Sequence, residues 1–189
     1  HQEGKYDNAV ALITMALATK PDFVLAQVSL GNMFCILGNP GEAVAIYRKA
    51  LGIKPDYAEA HYNLGYALQS LGKLDEAVAS YSQALDIRPD YAIAQNNLGL
   101  ALLELGKLDE ALKHHRRAVA LNPQDELVWA GLAETLAMIS FTTVDGDNLW
   151  QDLLLLLERS TATPAYLVQA IVSALRCHPS VSQILDAVN

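Results

Sequence analysis

Four prolines, Pro21, Pro55, Pro89 and Pro123, and four glycines, Gly4, Gly38, Gly72 and Gly106, recur at a fixed interval of 34 residues. A period of that length marks one supersecondary unit copied along the chain, because a unit too small to bury its own apolar face must stack on the next copy. The repeats say how surface is presented to a partner. They do not name the partner.

In phase with the period, full units span 23–56, 57–90 and 91–124. A half unit over 1–22 precedes them as a second helix, and 125–140 follows as the first helix of a degenerate unit. Each full unit carries a Leu-Gly pair (Leu30-Gly31, Leu64-Gly65, Leu98-Gly99) and then two alanines (Ala43 and Ala50, Ala77 and Ala84, Ala111 and Ala118) flanking Tyr47, Tyr81 or His115. The pattern predicts two antiparallel helices per unit, for example over 57–71 and 75–86. The small residues let the helix axes approach and the ring fills the remaining gap. Gly38, Gly72 and Gly106 fall where left-handed caps end the first helices. Asp75-Glu76 and Asp109-Glu110 suit the positive ends of the helices that follow. Pro40 is placed in the turn inside its unit, which it stiffens, and the periodic prolines stop the second helices.

The Leu-Gly, Ala, Tyr, Ala and Pro signals at this spacing resemble the tetratricopeptide repeat family from Gly4 to about Ile139. The resemblance implies an all-α fold, a right-handed superhelical solenoid of antiparallel helix pairs, with a C-terminal helical cap. It also implies first helices lining a concave groove that takes extended peptide. Two departures stand out: His115 replaces the packing aromatic, and the second-helix signature disappears after Ile139, although Trp129, Leu132 and Ala133 keep that unit's first helix in the pattern.

Residues a helical turn apart on the first helices are predicted to face the groove: Ser29 and Asn32, Tyr62, Asn63 and Tyr66, Asn96, Asn97 and Leu100, then Ala130 and Glu134. Asn63 and Asn97 occupy the same slot in successive units. An asparagine amide offers one acceptor and two donors, which matches a peptide main chain. Similar asparagine ladders in the repeats of O-linked N-acetylglucosamine transferases imply backbone recognition with little regard for side chains; the same amides equally suit bonds between repeats. A clamp for a terminal carboxylate needs cations, and the corresponding slots hold Val28, Glu59, Ile93 and Asn97.

The formal charge of −8 argues against nucleic acid as a partner, since counterion release needs clustered Lys and Arg. The one dense basic run, Lys113 to Arg117, contains His114 and His115, which diverge on a helix and do not converge on a metal; His115 reads as packed, and His114 with Arg117 as a solvated convex face. His61, beside Tyr62, reads as a satisfied or solvent-facing side chain. Cys35 and Cys177 are too few for a disulfide framework and permit a reducing compartment such as the cytoplasm. No apolar run is long enough to span a membrane. Motifs for a nucleophile elbow, phosphate loop, zinc cluster or dinucleotide are missing, so no catalytic residue, cofactor or metal is assigned.

Beyond Ile139 the period stops. A loop, 141–148, leads to apolar helical segments over 149–159, 165–177 and 180–188, with Thr163-Pro164 as a helix start. Asp145, Gly146 and Asp147 lack the later ligands of a calcium loop. The segment is expected either to cap the array or to join it to a further domain. Function is accordingly expected to be that of a non-catalytic scaffold for a protein or peptide. The alternatives are a docking region of a larger bacterial methyl-, sulfo- or glycosyltransferase, or a module that self-assembles through an apolar end exposed by the half unit.

Overall fold

The computed structural model describes residues 3–139, and in that range the chain is eight α-helices with no strand. They are α1 (Glu3–Thr19), α2 (Val24–Ile36), α3 (Pro40–Ile53), α4 (Ala58–Ser70), α5 (Leu74–Ile87), α6 (Ala92–Glu104), α7 (Leu108–Leu121) and α8 (Glu126–Met138). Consecutive helices pack as antiparallel pairs, giving the all-α solenoid expected from the period. The segment 141–189, expected to cap the array or to join it to a further domain, lies outside the described residues.

Local chemistry explains where each helix stops. Gly38, Gly72 and Gly106 sit at φ of 77°, 70° and 73°, a left-handed conformation in which a side chain would be strained. In each case the next amide reaches back five residues to a helical carbonyl, as Lys73 N–H does to Leu68 O at 2.9 Å, closing the last turn. Pro40 proves to be the first residue of α3 and not a turn residue: its missing N–H costs nothing there, and its fixed φ already suits a helix. Asp75, Glu76, Asp109 and Glu110 lie in first turns, where the helix dipole favours them, and they do not act as caps.

Packing inside each unit is a ring set on a glycine. A β-carbon on Gly65 would come within 2.7 Å of the Tyr81 ring, and one on Gly99 within 2.5 Å of His115 Nε2. Gly31 lies against Tyr47 in the same manner. Tyr47, Tyr81 and His115 are consequently almost fully buried, among the alanines Ala43, Ala50, Ala77, Ala84, Ala111 and Ala118. The first helices also meet one another, α2 with α4, α4 with α6 and α6 with α8, whereas no comparable set of contacts joins α3 to α5 or α5 to α7. The first helices therefore form a continuous inner layer and the second helices splay outward.

Candidate peptide-binding groove

The inner layer is held by polar bonds that cross from repeat to repeat. Asn63 Nδ2 donates to Asn32 Oδ1 at 3.0 Å, and the Tyr47 hydroxyl donates to the same oxygen at 2.6 Å. One unit further, Asn97 Nδ2 donates to the Tyr62 hydroxyl at 3.2 Å. The Tyr81 hydroxyl donates to Gln69 Oε1, whose own amide donates to Glu104 Oε1 at 2.5 Å. Each asparagine of the repeating slot is thus fixed in orientation by one of its two N–H groups, and the amide's remaining donor and acceptor are what a peptide could use.

Among the residues expected in the groove, Ser29, Tyr66, Ala130 and Glu134 are exposed, and Asn32, Tyr62, Asn63, Asn97 and Leu100 are half-buried. Tyr62 rests its ring against Tyr81 and Tyr91, with centroids 5.9 and 5.2 Å away, and burial with the neighbouring Tyr91 pushes its hydroxyl up to about 12. Asn96 departs from the expectation. It is only 6 % exposed, and its Oδ1 lies within 2.6 Å of where a β-carbon on Gly131 would stand, so it packs between α6 and α8. Gly131 lies outside the 34-residue pattern, and without it the close approach that buries Asn96 could not form.

Of the other polar residues, His114 settles differently from the sequence reading and His61 in line with it. His114 is half-buried and is not part of a solvated face: its Nδ1 lies 2.7 Å from Gln95 Oε1, which only accepts, so Nδ1 carries the proton. Burial, with Lys113 nearby, lowers its basicity. His61 is satisfied by Pro55 O at 2.8 Å. Cys35 is half-buried beside the Tyr47 hydroxyl at 3.8 Å, and burial raises its thiol.

One set of residues escaped the sequence reading altogether. The residue six positions after each periodic proline sends a side-chain N–H to that proline's carbonyl: Gln27 to Pro21 at 2.6 Å, His61 to Pro55 at 2.8 Å, Gln95 to Pro89 at 3.5 Å and Trp129 to Pro123 at 3.0 Å. Because Pro55 O can only accept, His61 carries its proton on Nε2. The common feature is a nitrogen donor of suitable reach, and the residue type varies. In three of the same turns a cation covers the ring that follows: Lys20 over Phe23, Lys54 over Tyr57 and Arg88 over Tyr91, the last at 3.5 Å.

Among the described residues no helix is long and apolar enough to cross a membrane, and no group of three or more His, Cys, Asp or Glu side chains is placed to hold a metal. The groove offers amides, aromatic and aliphatic surface, and carboxylates.

Known proteins share this architecture. Family models described as "Tetratricopeptide repeat" and "TPR repeat" match residues 56–124 and 31–72. A crystal structure of MamA superposes with a TM-score of 0.68 at 19 % identity, covering 96 % of this chain and 94 % of that one. A MamA RS-1 double mutant gives 0.70 at 19 % identity, over 83 % of this chain and 86 % of that one; at such identity the likeness is one of fold. The first TPR of Spaghetti (RPAP3), bound to the HSP90 peptide SRMEEVD, gives 0.58 at 26 % identity, covering 59 % of this chain and 89 % of that one. No curated protein matches the chain by sequence.

Proposed function

We propose that the chain, a tetratricopeptide repeat protein, is a protein–protein interaction scaffold whose inner layer of α2, α4, α6 and α8 holds an extended segment of a partner protein by its main chain. The observation that carries this is the pair Asn63 and Asn97, set in one slot of successive repeats and each oriented beforehand by a bond to the neighbouring repeat. Preorganised amides bind without first losing side-chain freedom. Tyr66, 51 % exposed, and the half-buried Leu100 supply apolar contact between them. First helices packed at intervals of roughly 10 Å cover about 30 Å from α2 to α8, which an extended chain rising about 3.3 Å per residue crosses in about nine residues. The peptide-bound structure of the Spaghetti repeats supports the same use of the fold.

The terminal carboxylate of such a peptide is not what this groove reads. Val28 is buried at 4 %, Ile93 is apolar, and Glu59 would repel it. Amidating a ligand's C-terminus is therefore expected to cost no affinity, and a loss of about tenfold or more, roughly 1.4 kcal/mol, would restore a carboxylate clamp.

The test begins with a peptide selected from a random displayed library against residues 1–189. Asn63→Ala with Asn97→Ala should weaken that peptide by tenfold or more, about 1.4 kcal/mol, with helicity unchanged at temperatures well below the melting transition. Equal affinity for the double variant and the parent would refute main-chain recognition by these amides.

A further inference from the structure

The basic residues of the solenoid are sorted by layer, while acids occur in both. α2, α4, α6 and α8 carry no lysine or arginine, and their charged side chains are Glu59, Glu104, Glu126 and Glu134. The bases from Lys20 to Arg117 all lie on α3 and α7 or in the turns, where Lys20, Lys54 and Arg88 are folded over Phe23, Tyr57 and Tyr91. The ion pairs Arg48–Glu76 and Lys73–Glu76 belong to the second helices and their turns and neutralise none of the inner glutamates.

Helix stability does not account for all four acids. Glu59 and Glu126 stand in first turns, where the helix dipole favours them. Glu104 is the last residue of α6, the end at which the dipole disfavours a carboxylate, and Glu134 lies in the interior of α8. Both are exposed. Glu104 is positioned by the Gln69 amide from the adjacent first helix, so its carboxylate is held at the joint between two repeats. Around these acids the inner helices expose Leu25, Tyr66, Ile93 and Leu127, at 57, 51, 45 and 68 %.

Resting on the reading of the inner layer as a peptide groove, we propose that its partner is an extended segment in which lysine or arginine alternates with aliphatic or aromatic residues. Leu25, Glu59, Ile93 and Leu127 share one slot of successive first helices and Asn32, Tyr66, Leu100 and Glu134 another, so acidic and apolar positions are interspersed along the layer and suit an extended peptide whose side chains change character from one to the next. Electrostatic complementarity of this kind selects the partner and speeds encounter more than it adds affinity. An acidic segment meets repulsion on the same surface, which separates this groove from one that takes SRMEEVD.

The test uses three synthetic peptide pools with identical alternating Leu and Tyr positions and Lys/Arg, Ser/Gln or Asp/Glu between them, titrated against residues 1–189 by fluorescence anisotropy. The Lys/Arg pool should bind at least about tenfold tighter than the other two, with affinity falling as salt rises. Glu59→Gln, Glu104→Gln and Glu134→Gln together should erase that advantage while the circular dichroism spectrum is unchanged. Tyr66→Ala should weaken all pools alike. Equal binding of the three pools, sensitive to Tyr66→Ala, overturns the charge preference and leaves the peptide groove standing. Binding of the Lys/Arg pool that ignores both the glutamine variants and Tyr66→Ala places it on another face and overturns the preference. Failure of every pool to bind overturns the groove itself.

Discussion

His115 shows how one substitution inside a repeat is absorbed. In the two preceding units the slot holds tyrosine, whose hydroxyl donates to Asn32 or Gln69 on a first helix. In the unit of His115 the two matching slots hold Leu100 and Leu103, so a tyrosine hydroxyl at position 115 loses either acceptor. The imidazole instead reaches forward: Thr135 Oγ donates to Gly131 O at 3.0 Å and so accepts from His115 Nδ1–H at 2.7 Å. That leaves Nε2 as a lone pair, buried and without a partner, as is Asn96 Oδ1. Burial is the main reason the imidazole falls to about 4, with His114 adding to it and the Asn96 backbone opposing it. A folded value below the usual 6.5 means the unfolded chain binds the proton more readily. This stabilisation is therefore complete above about pH 6.5 and is lost as pH falls toward 4, a difference of about 3 kcal/mol. Urea melts of the parent at pH 7 and 4.5 should show that loss, and both His115→Phe, which keeps a ring, and His115→Gln, which keeps a donor, should lose markedly less stability over the same interval. An unchanged pH dependence in both variants would remove His115 from the account.

At the scale of elements, the turn between repeats carries as much specification as the helices it joins. The proline ends the second helix, its carbonyl is claimed by a donor on the next first helix, and a cation lies across the ring that opens that helix. The fourth such turn has no cation and ring, and there Asp125 caps α8 by accepting from Leu127 N–H at 3.0 Å. Arg88→Met should cost about 0.5–1 kcal/mol, the range for an exposed cation on an aromatic face. A double-mutant cycle with Tyr91→Leu should show coupling of similar size, and additive losses would mean that the stacking contributes nothing. The helix pairs, their glycine stops and the Gly–ring contacts were legible because each rests on one residue type at a fixed interval. The proline-carbonyl bond was not, because Gln27, His61, Gln95 and Trp129 share only an N–H at the right reach. Nor was the burial of Asn96, which depends on Gly131 in another helix and outside the period. Of the groove, the slots of Asn63 and Asn97 could be read from periodicity, but the bonds that orient them come from Asn32 and Tyr62 in the preceding unit.

At the scale of the whole array, the decisive fact is that among the described residues substantial contacts join a helix only to the next helix or to the one after that. Such an array has no central core to fail all at once; its stability is approached as a sum of unit terms and nearest-neighbour interfaces. The same arrangement keeps lysine and arginine off α2, α4, α6 and α8 from one unit to the next, so in the proposed reading a partner meets several repeats in series. Gly65→Ala tests the mechanical side of this description. Its new methyl group would stand 2.7 Å from the Tyr81 ring, whose burial is complete, so the ring and α4 have to separate. The cost is expected at about 1–3 kcal/mol, as for other overpacked cores. In a nearest-neighbour array that loss concentrates on α4 and α5 and fades outward. Amide hydrogen exchange should accordingly rise most in Ala58–Ser70 and Leu74–Ile87, less in α3 and α6, and least in α7 and α8. A uniform rise from α2 to α8 would instead show one cooperative unit, in which case a ligand bound at any single repeat would stiffen the entire groove.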